Sequence, residues 1–357
     1  GDDLKGKPKP LCYGRCYNIT PVVVDSANLV YQFHDGPFRS VEAVYFDGVE
    51  ADGIAHDGSL TVYDPEADWV CDLSTGLLTL YTNPLGRVTC DVRGDQSGDV
   101  GYIDRPAEIV QRILIDKTGW DAVDVCSCFV RQFDGVANWE TGFYTGTDIY
   151  SVRDLMGEVI EGCRGAWYIG ADDQLKMLAI DGISNGTVGS LLEKDMISIA
   201  RVSTPPPLYK VSINAERNYT VQSDTDLAGA ATDEHRTFAI TEFRNTGFTT
   251  NSIRSSHPLA EELTWDTQVM DATDALNLRS DSINAFRHGQ HIYEIVMPIT
   301  IYPVVGDRNG PYIPGSIYTV THHDFGLQDG RLMRLVGFVV DSINERATLR
   351  MWTYDQI

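Results

Sequence analysis

The chain has 357 residues and carries 51 Asp and Glu against 28 Lys and Arg, a formal charge of −23 at pH 7. The acidity is spread out, −9 over 1–100, −8 over 101–200 and −6 over 201–357, and a surface of that sign repels phosphate, which argues against binding a nucleic-acid backbone through counterion release. No apolar run approaches the roughly 20 residues of a membrane helix: Ile292–Val305 is broken by Glu294, Pro298 and Pro303, and Leu335–Val340 is too short.

At this length two or three domains are expected, and 43% hydrophobic residues allow a sizeable core. The first residues do not read as a targeting peptide. Pro8 and Pro10 interrupt the segment before any apolar stretch, and without an initial Met the chain is expected to be processed or part of a longer protein. Lys7-Pro8-Lys9-Pro10 is instead a stiff, extended lead into a strand over 11–17. Short β-branched or aromatic runs follow at 22–24, 29–33, 41–46, 60–63 and 77–81. Turn signals separate them: His34-Asp35-Gly36-Pro37, Asp47-Gly48, His56-Asp57-Gly58 and Asn83-Pro84. This spacing suggests hairpins in a barrel or sandwich.

The pattern changes after residue 100. Arg105-Pro106 opens a helix through 114–117 with an apolar stripe of Ile109, Ile113 and Leu114, and Gly119 ends it. Ser151 and Asp154 begin a second helix to Cys163, with Val152, Leu155, Met156, Val159 and Ile160 on its buried face. A hairpin follows across Gly170–Asp173. Thr204-Pro205-Pro206-Pro207 is a rigid spacer and the clearest boundary. Beyond it come a strand at 209–213, a helix over 271–288, and strands at 293–301, 317–321, 331–341 and 347–352. The fold is expected to be mainly β with an α+β middle domain: a β domain over 1–100, an α+β domain over 101–203, and a C-terminal β-barrel domain with one helix over 204–357.

Few residues read as chemistry. All seven cysteines precede residue 164, and their odd number and lack of framework spacing point to reduced, buried thiols. Cys126 and Cys128 would share one face of a strand, and neither zinc spacing nor a local partner for a thiol hydrolase accompanies them. His322-His323-Asp324 is the most ligand-like cluster, but adjacent strand residues face opposite ways and a turn into Gly326 explains it as well. Asp134 with Glu140, or Asp172 with Asp173, could pair as in glycoside hydrolysis, but chance pairs abound in so acidic a chain. Gly182-Ile183-Ser184-Asn185-Gly186 has the spacing of a nucleophile elbow without a helix start after it. Gly1 to Lys7 mimics a phosphate-binding loop but places Pro8 where Ser or Thr must reach a cation. Asn18, Asn185 and Asn218 stand in chance glycosylation sequons. Catalytic, cofactor-binding and metal-binding residues are therefore all expected to be none. If the chain were a cell-wall hydrolase, Glu140, Cys128 or Ser184 would carry it; if a carbohydrate-binding adhesin, Trp139 or Trp265 would.

Three stretches carry a family pattern. The first is Gly6-Lys7-Pro8, Tyr13-Gly14-Arg15, Asn18, Pro21, Val22–Asp25 and Tyr31-Gln32-Phe33-His34-Asp35-Gly36; the second is Lys210-Val211, Asn218–Gln222 and Asp226-Leu227-Ala228-Gly229. The third is Pro314–Val320, Gly326–Arg331, Val336-Gly337-Phe338, Asp341 and Leu349–Trp352. Together these resemble the tail hub and baseplate hub proteins of long-tailed bacteriophages. Cys16 stands where that pattern has an aliphatic residue. The resemblance implies hub-type β-barrel domains and a homotrimeric ring at the end of the tail tube, in the tail tip or baseplate of a virion. The ring would contact tail tube, distal tail and tip or fibre proteins. DNA would pass through it unbound, and this chain would not insert into a membrane. No catalytic residues transfer. After Lys210 the chain has 11 Arg and no Lys, which suits bidentate pairing at subunit rims.

Overall fold

The computed structural model describes residues 5–58, 66–84, 86–97, 101–170, 172–183, 187–299 and 313–355. The expected strand at 60–63 lies outside them. The chain forms two compact units, each built from three segments: Gly1–Gly165 with Ile213–Thr246 and Trp265–Asn277, and Ala166–Ser212 with Gly247–Thr264 and Leu278–Ile357. The consecutive division at 100/101 and 203/204 therefore stands as a proposal about the chain's modules, distinct from its compact units.

The first unit contains β1 (Cys12–Ile19), β2 (Val22–Asp25), β3 (Val30–Gln32), β4 (Phe38–Phe46), β5 (Val49–Glu50), β6 (Gly53–His56), β7 (Trp69–Asp72), β8 (Leu77–Leu80), β9 (Val88–Asp95) and β10 (Gly142–Tyr144). They form two five-stranded sheets, β10-β1-β9-β4-β5 and β2-β3-β8-β7-β6. Strand alternation supplies the core. On β9, Val88, Cys90 and Val92 are buried while Asp91 and Arg93 point to the outer side. With Cys12, Cys16, Phe33, Phe38, Trp69, Cys71 and Leu78 they make one apolar cluster. Four of the seven thiols thus act as small core residues, as the sequence implied, and Cys163 is buried too; Cys126 is half-buried and Cys128 exposed, against the expectation of buried thiols. The Asp47-Gly48 signal makes the β4–β5 turn, with φ of 49° and 80°, the left-handed pair that a tight hairpin needs.

Gly14 lets β1 change partners. Residues Cys12–Gly14 pair with β10, and Arg15–Ile19 pair with β9. Gly14 sits at φ +62°, and a Cβ there would lie 1.8 Å from the Thr141 carbonyl oxygen. Only glycine fits.

The helices of this unit are α1 (Pro106–Thr118), α2 (Ser127–Val136), α3 (Val152–Leu155) and α4 (Asp233–Ala239). Pro106 starts α1, and Gly119 ends it in the left-handed region with its N–H on the Leu114 carbonyl. Ser151 caps α3 in a reciprocal arrangement with Asp154. The expected continuous helix to Cys163 instead widens into a π-helical turn over Met156–Glu161, closed by the Gly162 N–H on the Gly157 carbonyl. Of its expected buried residues, Leu155, Met156, Val159 and Ile160 are inside and Val152 is half-buried. The segment carrying Cys126 and Cys128 is a correction: it is α2 and the residue before it, not a strand. Val130 and Phe133, three apart, bury one helical face, and this period overrides the alternation of the cysteines.

The second unit holds a hairpin of β11 (Gly165–Ile169) and β12 (Leu175–Ala179), then β13 (Gly189–Leu192) and β14 (Ser198–Ser203). It also holds α5 (Asn251–Ser256), β18 (Gln290–Pro298), β19 (Ile317–Thr321), β20 (Arg331–Asp341) and β21 (Arg346–Tyr354), while β15 (Leu208–Ala215), β16 (Arg244–Thr249), β17 (Glu261–Asp266) and α6 (Ala272–Phe286) each carry residues of both units. β16-β15-β17 is a three-stranded sheet, and β13-β19-β20-β21-β18-β14 a six-stranded one. In the latter Tyr293, Ile295, Met297, Met333, Leu335, Leu349 and Met351 point to one buried face.

The chain is mainly β as expected, but among the described residues no sheet closes into a barrel. In the six-stranded sheet the two edges are β13 and β14, consecutive in the chain. β13 runs parallel to β19 and β14 antiparallel to β18. Residues 193–197 alone join them, at most roughly 20 Å of chain, somewhat less than the roughly 24 Å that five strand spacings would span in a flat sheet, so the sheet is bent. The helical turn Glu193–Asp195 interrupts the strand at that point, and the edges do not complete a ladder.

Candidate interaction site

The first unit presents a cavity of about 440 Å³. Its walls are aromatic and acidic: Tyr17 from β1, Tyr45 from β4, Glu50 from β5, Asp91 from β9, and His235 and Phe238 from α4. The Tyr45 and His235 rings stack at 4.0 Å between centroids. Asp91 accepts from the Asn18 N–H at 2.7 Å and the Tyr45 hydroxyl at 3.1 Å. Burial outweighs both bonds and pushes its carboxyl up to about 6. Burial lowers the pKa of His235, whose Nε2 is enclosed with no protein partner. Arg244, the cation on the rim, is already held by Glu216 at 2.8 Å. A cavity with carboxylates and aromatic faces is suited to a cationic, hydrogen-bond-donating group such as a guanidinium.

Beside it the outer faces of β1, β4 and β9 carry an alternating ring of charge. Arg15 contacts Glu42 at 2.9 Å and Glu140 at 3.6 Å, and Arg93 contacts the same two acids at 2.7 and 2.8 Å. Each side chain is about three-quarters buried or more. Glu140, a possible catalytic acid in the sequence, is thus a structural counter-ion.

Beneath lies a knot that joins distant segments. Asn18, fully buried in the left-handed region at φ 51°, donates from Nδ2 to the Asn218 side-chain oxygen at 2.8 Å and the Thr220 carbonyl at 2.9 Å. Asn218, also buried, donates to the carbonyls of Ala239 and Thr241, both at 2.9 Å, at the end of α4. Leu227 packs against Gly48, and the Ala228 N–H donates to the Asp47 carbonyl. Two of the three family-pattern stretches therefore meet here. Asn18 and Asn218, read as chance glycosylation sequons, are both buried in this knot. Asn185 lies outside the described residues. His34 makes a second buried set: its Nδ1 accepts from the Cys12 N–H, its Nε2 faces Asp95 at 3.2 Å, and Arg112 holds the other Asp95 oxygen at 2.7 Å.

The other sequence candidates separate. Asp134 accepts from the N–H groups of Ala107 and Glu108 at 2.9 and 3.0 Å, capping α1 from α2. Burial pushes its carboxyl up to about 7. Asp172 pairs with Lys176 at 3.0 Å, and Asp173 occupies the left-handed turn of the hairpin. Trp139 is buried and Trp265 half-buried. Ser184 lies outside the described residues. His322 and His323 follow the end of β19, where alternation no longer holds. Their rings stack at 4.5 Å, and Glu193 meets His323 Nδ1 at 2.7 Å. The three offer ligand atoms within 4.8 Å of one another. Near-parallel rings aim their lone pairs side by side, not at one point, and His322 Nδ1 accepts the Asp324 N–H. The cluster is a turn before it is a ligand set.

The arginines after Lys210 are a further difference. Arg217, Arg236, Arg244, Arg331, Arg334 and Arg350 pair with carboxylates of their own unit. The planar fork serves packing inside the chain, which leaves fewer of these residues for rims.

No family model and no curated protein sequence matches this chain. Solved structures do. A chain from the virion of a native gene transfer agent particle aligns over 98% of this chain and 85% of its own length, with TM-score 0.53 and 12% identity. A tail protein from Neisseria meningitidis MC58 covers 78% and 74%, with TM-score 0.39 and 11% identity. The 43 kDa tail protein of prophage MuSo2 from Shewanella oneidensis covers 80% and 76%, with TM-score 0.39 and 13% identity. The fold is thus similar to that of a chain of a gene transfer agent virion.

Proposed function

We propose that the chain is a structural component of a phage-type tail or baseplate, located in the virion. In this reading it is a hub subunit: a homotrimeric ring at the end of the tail tube that seats tip or fibre proteins and surrounds the DNA exit channel. The observation that carries it is the full-length likeness of fold to a chain of a gene transfer agent virion. Three features support the finer reading. The edges of the six-stranded sheet, β13 and β14, are joined by only a few residues, as the reading of a barrel domain needs. The distributed excess of acid would let DNA slide past without adhering. The acidic, aromatic cavity would seat a basic side chain of a neighbouring tail protein. No catalytic step belongs to this function.

Mass photometry of the purified chain, followed by zymography on peptidoglycan, tests the proposal. A concentration-dependent trimer without cell-wall turnover supports it. A monomer at all concentrations that degrades peptidoglycan, with activity lost on Glu140→Gln or Cys128→Ser, would replace it with a tail-associated hydrolase. A specific glycan-array hit abolished by Trp265→Ala would replace it with an adhesin.

A further inference from the structure

The seven cysteines fall into two chemical classes. Cys12, Cys16, Cys71, Cys90 and Cys163 are buried, and burial pushes the thiols of Cys12, Cys71, Cys90 and Cys163 up. They are core atoms. Cys126 is half-buried, Cys128 is exposed, and their sulfurs stand 2.7 Å apart. Cys126 is the extended residue just before α2, at φ −70° and ψ 100°, and Cys128 lies in the first turn. A disulfide needs about 2.05 Å between sulfurs, and these two sulfurs already face each other.

We propose that Cys126 and Cys128 form a reversible dithiol–disulfide site whose co-substrate is a low-molecular-weight disulfide of the glutathione type. One cysteine, as its thiolate, attacks a sulfur of the small disulfide. A mixed disulfide forms and one small thiolate leaves. The other cysteine then attacks the protein-side sulfur, the Cys126–Cys128 bond forms, and the second small thiolate leaves. Two protein thiols are oxidised and one small disulfide is reduced to two thiols, which take up the two protons released. Burial and the neighbouring Cys126 thiol push the Cys128 thiol up, against the backbone N–H groups of Phe129 and Cys128 beside it. The reaction therefore runs faster in alkaline than in neutral buffer. Once closed, the bond pins the first turn of α2, the helix whose Asp134 holds the start of α1.

The test incubates the full chain with oxidised glutathione, alkylates the native protein, and maps its peptides by mass spectrometry. The expected result is loss of alkylation at both residues, a peptide lighter by two hydrogens, and recovery with a reducing agent. Cys128→Ser should hold a glutathione adduct on Cys126, since no second thiol can displace it. Phenylarsine oxide, which bridges paired thiols, should protect both residues in the unoxidised chain. Both residues remaining fully alkylated, or separate glutathione adducts on each in the natural sequence, would overturn the proposal. So would failure of phenylarsine oxide to protect them.

Discussion

Single side chains with more than one buried partner decide how the first unit holds together. Asn218 satisfies carbonyls at the end of α4 and accepts from Asn18. Asn218→Ala leaves several buried groups unpaired and should cost about 2–4 kcal/mol, read as a fall in the urea midpoint; a loss below about 0.5 kcal/mol would show that water replaces the amide. The buried carboxylates pull stability in opposite directions with pH. Burial opposes ionisation of Asp95, but its bonds to His34 and Ser97 and the Arg112 charge hold its pKa below the ordinary value. Its contribution is present above the unfolded pKa and is lost as pH falls through the folded one. Asp91 and Asp134 have raised folded values, about 6 and about 7 against 3.8. The folded state then binds more protons than the unfolded one, so their contribution falls as pH rises from about 4 to about 7. Asp134→Asn should flatten the decline in stability between pH 4 and 7 measured by urea titration; an unchanged slope would place the proton elsewhere.

At the scale of elements, Gly14 is a tight constraint. Gly14→Ala would drive a methyl into the Thr141 carbonyl and should cost about 3 kcal/mol or more, with amide exchange rising first in β1 and β10; protected exchange there would mean that the strand can shift. Most elements were legible in the sequence because local signals agreed. Pro106 and Gly119 bracket α1, Ser151 and Asp154 start α3, and Asp47-Gly48 makes its turn. The misses share a cause. α2 was hidden because the Cys126–Cys128 spacing mimics strand alternation, while the evidence for a helix lies in what Val130 and Phe133 touch. The knot was hidden because nothing local links Asn18 to a residue 200 positions away. The cavity was hidden for the same reason: its walls come from β1, β4, β5, β9 and α4. Of the six-stranded sheet, β18, β19, β20 and β21 are legible as strands in the sequence, but the edges β13 and β14 are not, because their place is set by tertiary pairing.

The whole molecule carries a surface consistent with assembly. Past its register shift at Leu335 to Gly337, β20 exposes Val336, Phe338 and Val339, and the turn after it leaves Ile343 at 91% exposure. An apolar run of this kind on an acidic protein is suited to burial against another chain. Ile343→Asp should change stability by no more than about 0.5 kcal/mol while weakening the proposed trimer in mass photometry; self-association equal to that of the natural sequence would remove this turn from the proposed interface.

The account rests on an inert subunit in a ring at the end of a tail. Electron cryo-microscopy of particles that carry a tagged copy of this chain tests it most directly. The account predicts tag density in a three-fold ring around the channel where the tail tube ends. Particles with complete tails and no tag density, or density confined to separate monomers away from the channel, would contradict it.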